Sequence, residues 1–401
     1  MIRFFLVDEW VHYIRGLLSL VIYGGRIDNI YDSNVLNAYL NSFFNESVIQ
    51  SSNFELCNIL SFKKSSLNHL KDYISMIEKN IPQEDNPVLF GLPANIVSSW
   101  QMIQSGTMIS QLKQMQLGSD RQPKFDRLVL CTTLSPILSI WKRLNSQTTF
   151  HSMQIPEVKD SDDPILEILS VEYIFAINLV QIIHSSLSNL NKCIKGTQLP
   201  TKSAIEMSHS LLMHQTPEHW QNHWDGPNDP VQYLSTVMSK VKATKELVST
   251  AANGHIFSNP IKLTKLFRPE KLINALRQYI ARKMKVGMDF LKLAAVWKTM
   301  KKENMNSVFL EITGIYIQGA HFDNRLCEVS SSSPPFSIIP NLLITWIPSE
   351  TSSYYENSNS VFIPMYTTSN RDDLIAEIQI PCEGDPKKWQ IASVALFLAV
   401  C

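Results

Sequence analysis

The chain has 401 residues, and its 36 basic side chains are balanced by 36 acidic ones, which argues against a dedicated nucleic-acid binder. That length suggests two or three domains with ample core. Charged residues make up 18% where about 25% is typical, and glycine is scarce at 13 residues, so glycine-rich phosphate loops start at a disadvantage. From the N-terminus, Trp10, Tyr13, Ile14, Leu17, Leu18 and Val21 recur at three- and four-residue spacing, an amphipathic helix that Gly24 and Gly25 should end by accepting positive φ. A second helix is expected after Asp32 or Ser33, either able to cap it, with Val35, Leu36, Tyr39, Leu40 and Phe43 facing inward. A third is expected over 65–79, where Leu67, Leu70, Tyr73, Ile74 and Ile77 keep the period.

Residues 81–93 break the pattern with Pro82, Pro87, Gly91 and Pro93 and mark the clearest boundary. Asn95 should cap a helix running to about residue 117, and a helix over 128–144 should break or kink near Pro136. The strongest local signal is Asp163-Pro164, an N-cap followed by a proline at the first helical position, where its missing N–H costs nothing. The apolar stretch behind it predicts a helix about 45 Å long, at about 1.5 Å per residue. Its only charges before Lys192 are Glu167 and Glu172, near the end where the helix dipole favours acids. A helix this apolar is buried between other elements or docked on a partner. Further helices are expected over 230–248 and over 269–282, the latter opened by Pro269.

After about residue 306 the period changes to two. Leu342, Ile344 and Trp346 alternate with Leu343, Thr345 and Ile347, and Leu374, Ala376, Ile378 and Ile380 alternate with Ile375, Glu377 and Gln379. The segment 391–398 is apolar on both faces, a buried strand. The apolar phase flips across Gly314, which suggests a β-bulge. Five or six short strands make a small sandwich or barrel. The fold class expected is therefore mainly α followed by a small all-β module.

Six scattered cysteines (Cys57, Cys131, Cys193, Cys327, Cys382, Cys401) without a CxxC pair point to a reducing compartment. The N-terminus lacks the unbroken apolar core of a signal peptide, and no unbroken apolar run reaches the roughly 18 residues of a membrane span. The protein is expected to be soluble and intracellular, without membrane insertion. None of its glycines precedes a lysine, so these 401 residues hold no Walker A loop; HExxH and GxSxG are also missing. His209, His214, His219 and His223 cluster, and His219/His223 have the spacing that can share a metal on a helix; exposed loop histidines are the competing reading. The lysines at 63–64, 298–302 and 387–388 read as solvated faces, Trp220 and Trp224 as residues packed under a loop, and Asp372, Asp373, Glu383 and Asp385 as turn acids. No catalytic, cofactor-binding or metal residue is assigned from these patterns.

The string Tyr23-Gly24-Gly25-Arg26-Ile27-Asp28-Asn29, after a Trp-containing helix, resembles the closing part of the sixth AAA+ module in dynein heavy chains. In the same order, Gly91-Leu92-Pro93-Ala94-Asn95 resembles that family's Gly-Leu-Pro-x-Asn junction, Asp163-Pro164-Ile165-Leu166 the start of its long helix, and Pro217-x-x-Trp220 its Pro-x-x-Trp element. Leu266-Phe267-Arg268-Pro269-Glu270, Arg277-Gln278-Tyr279, Thr313-Gly314-Ile315 and Ile363-Pro364-Met365-Tyr366 are similar to further family motifs. The last twenty residues resemble most the cytoplasmic dynein 2 subclass, the motors of retrograde intraflagellar transport.

The resemblance implies the helical lid of the sixth AAA+ module over 1–95, a helical C-terminal part over 96–305 and a C-terminal β-barrel of about six strands over 306–401. It implies a non-catalytic segment that packs across the AAA+ ring and modulates movement, with ATP bound only in upstream modules. Its partners would be the other ring modules and, through the whole motor, dynein subunits and microtubules, in the cytoplasm, cytoskeleton and cilium. Arg26 lies where AAA+ lids can carry a nucleotide-sensing arginine, but a structural role for 26–28 is expected in a module that does not hydrolyse ATP. A free-standing adaptor derived from a dynein C-terminus is the alternative, and a metal enzyme built on His209–His223 the third reading.

Overall fold

A computed structural model describes residues 7–27, 29–45, 69–80, 86–90, 92, 94–117, 125–146, 148–154, 162–297, 308–328, 334–350, 359–371 and 373–399. Asp28, Gly91 and Pro93, the start of the 65–79 helix, the lysines at 63–64 and 298–302, and Asp372 lie outside them.

The N-terminal helices are α1 (Val7–Leu17), α2 (Ile30–Phe43), α3 (Leu70–Asn80) and α4 (Ala94–Leu117). A π-helical turn at Leu18–Ile22 and a 3-10 turn at Gly24–Arg26 follow α1. Neither glycine takes the positive φ expected of it. Gly24 is required for closeness instead, since a Cβ there would lie 2.9 Å from the Ser19 carbonyl oxygen. The second helix starts earlier than Asp32: Asn29 is the cap, accepting from the Tyr31 N–H at 2.8 Å, and Asp32 falls in the first turn. Asn95 is not a cap either, because α4 has already begun at Ala94.

Among the described residues the middle of the protein is formed by α5 (Arg127–Ser146), α6 (Pro164–Ile194), α7 (Lys202–Leu212), α8 (Glu218–Gln221), α9 (Pro230–Ala252) and α10 (Pro269–Met284). α5 runs through Pro136 without breaking. α6 forms as its sequence dictates, with the Asp163 carboxylate accepting from the Ile165 N–H at 2.9 Å and Pro164 at the first position. Asp163→Ala should lower stability by about 1 kcal/mol, measured by denaturant unfolding, because one helix-end donor loses its acceptor. By length and composition α6 could cross a membrane. Here it is the central strut: α5, α7, α9 and α10 contact it, and Ile165, Leu169, Ile177, Val180 and Ile183 are buried in two adjoining cores.

The strands are β1 (Leu291–Trp297), β2 (Leu310–Ile312), β3 (Tyr316–Gln318), β4 (His321–Phe322), β5 (Leu326–Cys327), β6 (Phe336–Ile338), β7 (Leu342–Pro348), β8 (Ser360–Tyr366), β9 (Leu374–Pro381) and β10 (Ala395–Phe397). They form three sheets, ordered β1-β7-β2, β6-β3-β10-β8-β9 and β4-β5. No sheet closes on itself among the described residues, so the expected barrel is seen as open sheets that share one apolar core. The β part also starts upstream of residue 306, because β1 pairs along its length with β7. β7 is central in its sheet, which explains its two apolar faces: Leu342 and Ile344 enter the main core, while Leu343 packs with Val296 and Phe309.

Gly314 (φ +75) lies between β2 and β3, which belong to different sheets. Its phase flip therefore marks a crossing from one sheet to the other rather than a bulge; the register shift occurs between Met365 and Tyr366. The strand expected over 391–398 is shorter than its apolar pattern. Pro386–Ile391 forms a helix, α11, capped by Asp385 through the Lys387 N–H at 3.0 Å, and β10 follows as a fully buried central strand.

Candidate functional site, a junction between the first helices and the last sheet

The N-terminal helices meet the C-terminal sheet around the Ala392–Ser393 turn. α2 packs on α11. The Asn95 side-chain amide, inside the first turn of α4, donates to the Ala392 carbonyl at 3.0 Å. Gly319 (φ +82) lets these segments close, because a Cβ there would stand 2.8 Å from the Ala392 oxygen and 3.2 Å from the Asn95 amide nitrogen. The next residue, Ser393 (φ +51), is gripped by Arg371. That guanidinium donates to the Ser393 carbonyl (2.8 Å), the Ser393 hydroxyl (2.5 Å) and the Gln318 side-chain oxygen (3.1 Å), and lies 5.6 Å over the Phe397 ring. Burial lowers the Arg371 pKa, while Tyr366 and the α2 residue Asp32 pull it upward. Tyr31, also on α2, has its phenol pushed well above the ordinary range by burial and by the neighbouring Glu377 carboxylate.

A second polar centre lies under the helical middle. Glu172, expected near the helix end where the dipole favours acids, is buried more than two turns into α6 and serves another helix instead. Its carboxylate accepts from the N–H groups of Phe267 (2.5 Å) and Arg268 (2.8 Å), the free donors just ahead of Pro269 and α10. From α9, the Lys240 ammonium donates to the carbonyls of Thr264 (2.8 Å) and Leu266 (2.5 Å), and lies 5.2 Å and 5.4 Å from the Trp224 and Phe267 rings. Desolvation pushes the Lys240 pKa down to about 8, against the upward pull of Glu172. Arg268 stacks 4.1 Å over Phe175. Residues 264–268 are thus held by one acid and one base from two different helices.

The histidines separate. His219 and His223 meet edge to face with ring centroids 5.3 Å apart, beside a groove of about 700 Å³ between α6 and α7. His214 (φ +54) lies just beyond α7. Among the described residues no group of three or more His, Cys, Asp or Glu is placed to hold a metal ion. Trp220 is fully buried, donating through its indole N–H to the Ser186 hydroxyl at 3.0 Å. The Tyr233 hydroxyl donates to the Trp220 and Trp224 carbonyls at 3.0 and 3.1 Å.

A pair that periodicity does not reveal is His151 and His184, with ring centroids 4.5 Å apart. His184 Nδ1 accepts from the Trp141 indole at 3.4 Å and the Asn145 amide at 3.1 Å. Burial, and then His151, lower the His184 pKa. A lowered folded pKa means the unfolded state takes the proton first as pH falls. Stability should therefore decline as pH drops below about 6.5, the ordinary histidine value. His184→Gln should flatten that acid limb in unfolding curves recorded from pH 7.5 to 5.

Against this geometry, two family models match the sequence. The one described as the AAA lid domain of the dynein heavy chain spans residues 7–96, and the one described as the C-terminal domain of the dynein heavy chain spans residues 102–398. The protein belongs to the dynein heavy chain family. It is 37% identical over 397 residues to cytoplasmic dynein 2 heavy chain 1 of Homo sapiens and 30% identical over 408 residues to that of Chlamydomonas reinhardtii. Identity to the cytoplasmic dynein heavy chain of Dictyostelium discoideum is 23% over 400 residues. The alignments take in 97%, 96% and 96% of this chain but only 9%, 9% and 8% of those relatives. The boundary between the dynein lid match and the C-terminal domain match falls inside α4. The junction is therefore a contact between the two dynein domains: Tyr31, Asp32 and Asn95 come from the lid, and Gln318, Arg371, Ala392 and Ser393 from the C-terminal domain. Of the family motif residues, Asn95 joins that contact, whereas Arg26 is exposed at the end of its turn beside the exposed Tyr23 and Gly25. Asp163, Pro164, Pro269 and Gly314 shape helix starts and the sheet crossing.

Proposed function

We propose that this protein serves as the C-terminal segment of a dynein 2 motor heavy chain. In this reading it carries out no chemical step, packs on the AAA+ ring and regulates minus-end-directed movement along microtubules, in retrograde intraflagellar transport within cilia. ATP would be bound and hydrolysed in other modules of the motor; dynein subunits and microtubules would be reached through the whole motor. The lid would occupy 1–95, the helical part would begin at 96, and the open sheets would correspond to the family's C-terminal barrel. Arg26 and its neighbours would shape the lid rather than sense nucleotide.

The observation that carries this reading is α4, which leaves Met102, Ile103, Met108, Ile109, Leu112 and Met115 exposed. Large apolar side chains exposed in such number on one helix favour coverage by another surface. The test compares intact dynein 2 motors with motors lacking residues 102–398 in single-molecule motility assays. Altered velocity or run length, with microtubule binding retained, is expected; identical motility would overturn the regulatory reading.

A further inference from the structure

We propose that the Ala392–Ser393 turn is a rigid joint that makes the lid helix α2 and the start of α4 one mechanical body with the five-stranded sheet, with Asn95 and Arg371 as its positioning residues. Two grips on adjacent residues carry the inference. From the lid side, Asn95 holds the Ala392 carbonyl, at a spot where Gly319 leaves no room for a side chain. From the sheet side, Arg371 holds both the carbonyl and the hydroxyl of Ser393 while bonding Gln318 on β3. Ser393 and Arg371 both have left-handed backbone, at φ +51 and +64, a conformation that non-glycine residues keep only where neighbours enforce it. The turn continues into β10, the central strand of that sheet, and follows α11, on which α2 rests.

A displacement of the lid would thus be passed to β10 rather than absorbed by a soft linker. Its meaning for a motor rests on the function proposed above; the joint itself does not. The experiment is native-state hydrogen exchange on the 401-residue protein in rising denaturant, with no ring or microtubule present, so that its outcome is independent of the motility test. In the unmodified protein, amides of residues 30–43 and 394–398 should open together along one denaturant dependence. Asn95→Ala should speed exchange at 394–398 by about tenfold, the loss of roughly one hydrogen bond's net contribution. Arg371→Asn, which tolerates the left-handed backbone, should speed exchange in 30–43 as well as in 394–398, because it removes both the Ser393 and Gln318 hydrogen bonds and the charge that faces Asp32 on α2. Separate denaturant dependences in the unmodified protein, or Arg371→Asn loosening 394–398 alone, would overturn the joint. The first criterion needs no variant, so a substitution that prevents folding leaves the proposal falsifiable.

Discussion

Glu172→Val is expected to destabilise the fold by about 3 kcal/mol at pH 7, more than any surface change. The substitution removes the acceptor of two backbone N–H groups at Phe267 and Arg268 and the negative charge that pulls on Lys240. Leaving a buried donor unsatisfied costs about 1–3 kcal/mol, and stripping a counter-charge from an enclosed partner adds to it. Glu172→Gln keeps an oxygen for the N–H groups and should lose only about 1–2 kcal/mol. The pH dependence separates the two contributions. Because the Lys240 pKa is lowered to about 8, the unfolded state holds that proton more tightly, and stability rises as pH climbs from about 8 toward the ordinary lysine value near 10.4. In Glu172→Val the uncompensated ammonium is penalised further and its folded pKa falls below about 8, so part of the lost stability should return as pH rises from 7 through about 8. Chemical denaturation at pH 7 and pH 9.5 reads this directly; an equal deficit at both pH values would show that the charge pair contributes nothing.

Trp220→Ala should cost about 3–5 kcal/mol, the range for emptying a large aromatic site in a packed core. Trp220 has no solvent exposure, its ring stacks on Tyr233 at 5.9 Å, and its N–H is satisfied by Ser186 on the central helix. Trp220→Phe retains most of the packing but leaves the Ser186 hydroxyl without its donor, and a loss of about 1–2 kcal/mol should follow. Urea midpoints and slopes measure both. A deficit under about 1 kcal/mol for Trp220→Ala would mean that the Pro217-to-Asp229 loop is not seated on the helical core.

The parts of this fold legible in the sequence are those whose causes lie within a few residues. Asp163 and Pro164 start α6 through a contact two positions away, and the period of apolar residues tells helix from strand without any partner. The ordered motifs from Tyr23 to Tyr366 are equally legible, and the family models agree with them over nearly the whole length. The errors have the opposite character. Local rules give Glu172 and Asn95 to their own helices, because an acid or an amide is favoured near a helix start. Their partners lie 95 and 297 positions away, at separations no local rule spans. Gly314 reads as a bulge because a phase flip does not tell whether the backbone stays in its sheet or leaves it.

By itself, then, the order of residues determined which segments coil and which extend, where most helices begin, and the family to which the protein belongs. All of these follow from hydrogen bonds and periodicities closed within a turn or two, or from short motifs. Only the tertiary structure decided that the sheets are open among the described residues, that Glu172 and Lys240 hold residues 264–268, and that lid and C-terminal domain meet at Ala392 and Ser393. Those outcomes depend on burial and on polar groups finding partners across the molecule, and such pairings exist only once the backbone has brought distant segments to within about 3 Å.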